Sequence, residues 1–160
     1  MKSTEILVRI RKIYRAIKLE SSKIQKEYGV SIPQMLCLGY LRSQEDFQAS
    51  HKEITKYLNL NSSTATGIVN RLEKRGYVAR LPKREDDKRS TFVVLTSSGM
   101  KLLDNTPPLL QDLLAKKIDK LPDNEVDTII GSLDKLITFL DVDGIGAAPM
   151  IADETDLDSM

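Results

Sequence analysis

The sequence predicts a mainly α-helical fold that carries one small β-hairpin, and three patterns indicate it. Apolar residues recur every three or four positions along most of the chain, which is the period of an amphipathic helix. Residues 77–81 alternate as a strand does, residues 91–95 are rich in β-branched residues, and a charged loop joins the two segments. The motifs Ser-Ile-Pro-Gln at 31–34 and Ser-His-Lys-Glu at 50–53 are capping boxes, which mark the starts of two helices.

The charge is distributed unevenly along the 160 residues, although the formal net charge is only +1. Residues 51–90 hold ten basic and five acidic side chains, whereas residues 141–160 hold six acids and no base. A basic centre of this kind favours a negatively charged partner such as nucleic acid.

The sequence shows no sign of a membrane span, a signal peptide or an internal disulfide, which narrows the class of protein. No apolar run is long enough to span a bilayer, and the N-terminus lacks the continuous apolar stretch of a signal peptide. A single cysteine excludes an internal disulfide. We therefore expect a soluble, cytoplasmic protein with no membrane partner.

The first predicted helix covers residues 4–27. Its isoleucines at 6, 10, 13 and 17 fall on one narrow stripe, and a glycine at 29 is expected to cap its end. Two interpretations of the stripe stay open. It fits a seam with a partner helix, and it equally fits packing on the helix's own domain.

A helix-turn-helix is predicted in the middle of the chain. The second capping box opens a short helix that ends near Leu58, and residues 59–61 form a turn. In the following helix Ala65, Ile68, Val69 and Leu72 have the i, i+3, i+4, i+7 spacing of a buried face. A short helix, a three-residue turn and a second helix constitute this motif.

The outer face of that second helix is small and polar. At 100° per residue, Gly67, Asn70 and Lys74 point away from the apolar stripe. A helix that enters the major groove, about 12 Å wide, needs such a face, because hydroxyl and amide groups there can donate to bases and phosphates. Arg71, Lys74 and Arg75 lie towards the helix end, where the groove walls carry phosphate. The predicted DNA-binding residues of this helix are Ser62, Ser63, Thr64, Thr66, Asn70, Arg71 and Lys74.

The hairpin loop, residues 82–90, mixes charges of both signs. Asp87 and Arg89 are two positions apart, a spacing that fits a carboxylate–guanidinium pair. Such a pair would hold Arg89 extended towards a narrow minor groove, where the negative potential is enhanced. The hairpin is thus predicted to be a wing with Arg84, Lys88 and Arg89 as DNA-binding residues and Asp87 as the residue that orients Arg89.

Two helical segments are predicted after the hairpin. Pro107 and Pro108 lie inside the first of them, so we expect a kink or a break there. Leu121 and Pro122 open the second, and an acidic tail follows at 141–160, which we expect to be flexible. The predicted organisation is one winged helix-turn-helix domain over residues 1–140, with a DNA-reading part at 31–96 and helical segments at 4–27 and 97–140.

Residues 61–78 and 86–99, with Arg80 between them, resemble the MarR family of bacterial transcription regulators. The family's wing signature is an acidic residue, a basic pair, a short β run, Leu-Thr, two further residues and Gly. In outline the likeness extends to Leu140, about seven-eighths of the chain, and the double proline and the acidic tail depart from it. The positions that match the signature are Asp87, Lys88, Arg89, Leu95, Thr96 and Gly99.

The resemblance implies a homodimer joined by the first helix and the last two, so that residues 4–27 and 97–140 would be the dimerisation helices. It implies recognition helices in successive major grooves of a palindromic operator, and wings in the flanking minor grooves. Arg89 would be the wing arginine and Asp87 its carboxylate partner. Members of the family are usually repressors, often of their own genes, that release DNA when a small anionic or aromatic ligand or an oxidant acts.

The sensing function stays open at this stage. Cys37 has apolar neighbours, which favours core packing over a reactive thiol. His51 is the only histidine, so with one cysteine it cannot build an ordinary zinc site, and no metal or other cofactor is expected. Arg11, Tyr14 and Arg15 fit either an effector site or solvated surface.

A DNA-binding transcription regulator is the predicted function. A winged helix used only for protein interaction is one alternative, and a redox-responsive regulator that uses Cys37 is another. The sequence contains no nucleophile–base pair, phosphate loop or metal cluster, so an enzyme is not expected.

Overall fold

The computed structural model describes residues 1–141, and its mainly helical architecture confirms the predicted fold class. A 3-10 turn at Glu45–Phe47 precedes the first strand. The helices and strands, in chain order, are α1 (Lys2–Tyr28), α2 (Ile32–Ser43), β1 (Gln48–Ser50), α3 (His51–Leu58), α4 (Ser62–Lys74), β2 (Val78–Arg80), β3 (Phe92–Leu95), α5 (Ser97–Asp104), α6 (Leu110–Ile118) and α7 (Asp123–Leu140).

Local sequence signals set most of the helix ends. Gly29 ends α1 in the left-handed conformation with φ 69°, which glycine adopts without a steric penalty. Both predicted capping boxes are present: the hydroxyls of Ser31 and Ser50 accept from the backbone N–H groups of Gln34 and Glu53. In each box the Gln or Glu side chain accepts in turn from the backbone of the serine.

The sheet has three antiparallel strands in the order β1-β3-β2. Ser50 lies opposite Phe92 in the first pair, and Arg80 opposite Val93 in the second. The sequence predicted only the β2–β3 hairpin. Strand β1 was missed because its three residues are too few to show an alternating pattern, and its pairing partner is far away in the chain.

The core of residues 1–107, one of two compact units, lies among α2, α3, α4 and the sheet. The predicted apolar stripe of α4 is fully enclosed, and Ile54 and Leu58 of α3 are buried against it. Burial of each such side chain contributes about 1.5–3 kcal/mol, so this core fixes the orientation of α4. The four stripe residues are Ala65, Ile68, Val69 and Leu72.

The isoleucine stripe of α1 does not pack on its own unit along most of its length. Ile6, Ile10 and Ile13 are 46%, 37% and 60% exposed, and only Ile17 is half-buried. Of the two interpretations of the stripe, the structure of the single chain therefore favours the seam with a partner helix.

The segment after the wing is broken at the prolines, as the sequence predicted. Helix α5 ends at Asp104, α6 begins at Leu110, and a second compact unit starts at Pro108. Within residues 1–141 no helix is both long and apolar enough to cross a membrane. The expectation of a flexible tail concerns residues 142–160 almost entirely, which lie outside the described part of the chain.

Candidate nucleic-acid interface

The turn between α3 and α4 orients the second helix. Asn59 adopts the left-handed conformation at the end of α3, and Asn61 caps α4 by accepting from Thr64 N–H at 2.8 Å. The hydroxyl of Ser63 also donates to Asn61 Oδ1, at 2.9 Å. The three-residue turn thus satisfies the backbone N–H of Thr64, one of the donors in the first turn of α4 that have no partner within the helix.

Most of the residues predicted on the outer face of α4 are accessible. Ser62, Ser63, Asn70 and Lys74 are exposed, and Thr66 and Arg71 are half-buried. Thr64 is a correction, because its side chain is 3% exposed and belongs to the core side of the helix. Thr64 lies one helical turn before Ile68, so it is on the same face of α4 as the apolar stripe and points into the core.

Arg75 is a second correction, since the sequence placed it at the groove wall. Its guanidinium donates to the carbonyl oxygen of Gly29 and lies over the ring of Tyr77, 5.2 Å from the centroid. Arg75 therefore fastens the end of α4 to the corner between α1 and α2. Lys74 remains exposed on the same last turn.

Arg80 on β2 connects the sheet to the outer face of α4. Its guanidinium donates to Glu73 Oε1 at 2.7 Å and to Asn70 Oδ1 at 2.6 Å, and its backbone N–H donates to Glu73 Oε2 at 3.1 Å. The sequence analysis gave Arg80 no role of its own. The alternation of residues 77–81 could have indicated which side of the strand Arg80 occupies, but not that this side faces α4.

The wing arginines are held differently from one another. Arg84 donates to Gln48 Oε1 at 2.9 Å, and its guanidinium lies 3.8 Å from the centre of the Phe92 ring. This contact directs Arg84 back onto the sheet. Lys88 and Arg89 are exposed at the end of the loop.

Asp87 organises the backbone of the loop. Its Oδ1 accepts from the backbone N–H groups of Arg89 and Ser90 at 3.2 and 3.1 Å. The pKa of Asp87 is lowered, first by the hydroxyl and backbone N–H of Ser90, then by the backbone of Arg89 and the charge of Arg84. The contacts described for Asp87 thus run to the chain that carries Arg89, whereas the sequence analysis expected a contact with the guanidinium itself.

A cleft of about 520 Å³ separates the wing from the starts of α3 and α4. At its base His51 Nε2 lies 3.0 Å from Thr66 Oγ1, and burial together with the charge of Arg80 lowers the pKa of His51. No carboxylate is among the described residues that line the cleft. Those residues are Ser50, His51, Lys52, Ser62, Thr66, Arg80, Arg89, Ser90 and Thr91.

The residues considered for sensing lie in contrasting environments. Cys37 is completely buried, which raises the pKa of its thiol to about 12. Arg11, Tyr14 and Arg15 are all exposed on α1. In the described part of the chain no cluster of His, Cys, Asp or Glu residues is arranged to hold a metal ion.

Comparison with known proteins finds a family that part of the chain resembles. Residues 30–91, which begin two residues before α2 and end just before β3, match the model of the MarR family. This part of the chain is similar to a MarR-family domain. This match covers the helix-turn-helix and most of the wing, which are the parts that form the cleft.

The curated relatives are named as transcriptional regulators and not as enzymes. The regulator Hpr of Bacillus cytotoxicus is 32% identical over 91 residues, which are 57% of this chain and 48% of Hpr. The transcriptional repressor MprA of Escherichia coli K12 is 28% identical over 120 residues, 75% of this chain and 68% of MprA. The chain spans about half the length of Hpr and of a third relative, PapX of Escherichia coli.

Solved structures share the fold of this chain. The Staphylococcus aureus MepR–DNA complex has a TM-score of 0.61 at 21% identity and covers 83% of this chain and 96% of MepR. Sco3205 of Streptomyces coelicolor, a MarR-family regulator in complex with DNA, has a TM-score of 0.62 at 24% identity and covers 93% and 94%.

Proposed function

We propose that this chain is a transcription regulator that binds duplex DNA, with α4 in the major groove and the wing along the minor groove. The observation that carries the proposal is the cleft between the wing and α4. Among the described residues, its lining offers hydroxyl, imidazole, ammonium and guanidinium groups and no carboxylate. Such a lining suits a phosphate backbone, which consists of acceptors and negative charge.

The face of α4 beside the cleft supports the same proposal. Ser62, Ser63 and Asn70 are exposed, and Gly67 carries no side chain that would hold the helix away from a groove. Small polar side chains on such a helix can reach base edges in the major groove. The residues proposed to contact DNA are Ser62, Ser63, Thr66, Asn70, Arg71, Lys74, Arg84, Lys88 and Arg89, with Asp87 as the residue that shapes the wing.

The proposed working form is a homodimer. Helix α1 exposes the apolar side chains Ile6, Leu7, Ile10 and Ile13, and α7 independently exposes others, among them Ile130. Apolar surface of this extent on two separate helices is typical of an interface. A twofold dimer would present two recognition helices to a palindromic operator whose half-sites lie about 10 base pairs apart.

Repression and release by an effector belong to the proposal as well. The relative MprA is named a transcriptional repressor, which favours repression over activation. The exposed Arg11, Tyr14 and Arg15 offer two cations and an aromatic ring to a small anionic or aromatic ligand. A redox response through Cys37 is disfavoured, because a completely buried thiol with a pKa of about 12 is a poor nucleophile. A regulator of transcription would act in the cytoplasm, where the DNA is.

The test is selection of bound fragments from genomic DNA of the source organism by the purified full chain. The proposal expects a few enriched duplexes with a palindromic core, and their release when an effective ligand is added. Recovery of fragments without any common motif would contradict sequence-specific binding. Capture of no duplex would leave the protein-interaction module as the better account.

A further inference from the structure

The side-chain amide of Asn70 has only one possible orientation, because of what it contacts. Arg80 Nη2 lies 2.6 Å from Asn70, and a guanidinium is a donor with no acceptor. The amide atom that faces Arg80 must therefore be the oxygen, Oδ1. The two N–H donors of Nδ2 are then on the other side of the amide, and within residues 1–141 no hydrogen-bond partner is described for them.

Arg80 is itself fixed, so it holds this orientation. Its Nη1 donates to Glu73 Oε1 at 2.7 Å, and its backbone is tied to the other oxygen of the same carboxylate. Glu73 and Asn70 stand three positions apart on α4, so the two acceptors lie on neighbouring turns of one helix face. The half-buried guanidinium of Arg80 therefore binds α4 through two residues, Glu73 and Asn70.

We infer that Arg80 is a positioning residue that makes Asn70 a donor-only reader of DNA bases. This inference rests on the proposed function. An asparagine that reads adenine uses both ends of its amide: Oδ1 accepts from adenine N6 and Nδ2 donates to N7. Arg80 takes one of the two lone pairs of Oδ1 and places its positive guanidinium beside that oxygen, which weakens the paired contact by opposing the approach of the adenine N6 donor. Nδ2 is left to recognise a base whose major-groove edge offers a carbonyl oxygen.

The inference thus names a class of base. Guanine O6 and thymine O4 are carbonyl acceptors for Nδ2, whereas cytosine N4 is an amino donor that opposes it. Adenine N7 also accepts, but a contact there brings the N6 amino donor towards the guanidinium of Arg80. Asn70 should select keto bases, guanine or thymine, at one position of each half-site. Arg80 should set this preference without touching the DNA at that position.

The experiment is selection of bound duplexes from a randomised library with the full-length chain, followed by affinity measurements on single-base variants of the selected site. Four forms are compared: the natural chain, Asn70→Ala, Arg80→Met and Arg42→Met. Arg42 is the matched control, since it forms an exposed ion pair with Asp104 at 3.3 Å and has no place in the proposed interface.

The natural chain and Arg42→Met should prefer a keto base by roughly tenfold at one half-site position, and Asn70→Ala should reduce this preference to about twofold or less. Arg80→Met should admit adenine at the same position, because Oδ1 becomes free to accept from N6. A purely structural role of Arg80 would instead weaken binding equally at every position.

Several results would overturn the inference. They are a preference for adenine or cytosine at the position that Asn70→Ala relaxes, a uniform loss of affinity in Asn70→Ala, or an unchanged base preference in Arg80→Met. If the natural chain selects no motif at all, the proposed function fails and the inference fails with it. A selected motif with unchanged preferences in the variants defeats the inference alone.

Discussion

Cys37 is the only cysteine of the chain, and it lies on α2 with its thiol completely buried in the protein core. Desolvation raises its pKa to about 12, so the thiolate is nearly absent at neutral pH. We predict that a thiol reagent labels Cys37 on the order of 100-fold more slowly in the native chain than in urea. Peroxide should leave DNA affinity unchanged. Rapid native labelling would revive the redox alternative.

The stability of the fold should depend on pH through His51, which lines the cleft. Its pKa is lowered by burial and by the charge of Arg80, so the unfolded chain binds the proton more readily than the folded chain does. The free energy of unfolding therefore decreases as the pH falls below the usual histidine pKa of about 6.5.

The variant His51→Gln isolates this effect, since the chain has no other histidine. We predict that the urea midpoint of the natural chain decreases more between pH 7.5 and pH 5.5 than that of His51→Gln. Equal decreases in both proteins would show that His51 is not the group responsible.

At the level of helices and strands, Gly99 determines how closely α5 approaches the sheet. A Cβ at this position would overlap the carbonyl oxygen of Tyr77 and lie 2.6 Å from Leu95 Cδ1. We predict that Gly99→Ala lowers the free energy of unfolding by about 1–3 kcal/mol, as overpacked sites do. Chemical denaturation measures this change.

Gly39 in α2 provides the matched control for Gly99. No atom lies within 4 Å of its would-be Cβ, so Gly39→Ala should raise the free energy of unfolding by about 0.5–1 kcal/mol through helix propensity. A loss of stability in both variants, or in neither, would contradict the close contact inferred at Gly99.

The sequence predicted elements with local signals well and contacts between distant elements poorly. The capping boxes of α2 and α3 and the buried stripe of α4 depend on neighbours within a few residues, and each was predicted correctly. Strand β1 is defined by its pairing with β3 and was missed. A helix can be inferred from its own periodicity, whereas a three-residue edge strand is defined by its partner.

The same distinction holds among the site residues. Asn70 could be placed on the outer face from helical spacing alone, but its contact with Arg80 depends on where β2 lies beside α4. Thr64 was placed outward because it is small and polar, although its position beside Ala65 turns it into the core. The polar side chain of Thr64 suggested exposure, but its position on the helix places it in the core.

At the scale of the whole molecule, the exposed stripe of α1 should determine the oligomeric state. Ile13 is 60% exposed in the single chain. We predict that Ile13→Lys weakens dimerisation at least tenfold, because an unpaired ammonium would be buried at the seam. Sedimentation across a range of concentrations measures this effect. Lys23→Ala on the same helix serves as the control and should remain dimeric.

A natural chain that sediments as a monomer at every concentration would refute the dimer. Dimerisation that is unaffected by Ile13→Lys would move the interface away from this part of α1.

The central claim, that the donor-lined cleft and the wing bind the phosphate backbone of DNA, is tested most directly by the salt dependence of DNA affinity. Fluorescence anisotropy of a selected duplex would be recorded at several salt concentrations for the natural chain, Arg89→Ala and the control Arg42→Ala. The claim predicts a steep linear fall of log affinity with log salt, and a slope that is about 0.9 shallower in Arg89→Ala alone. Binding that is independent of salt, or an identical affinity and slope in Arg89→Ala, would contradict it.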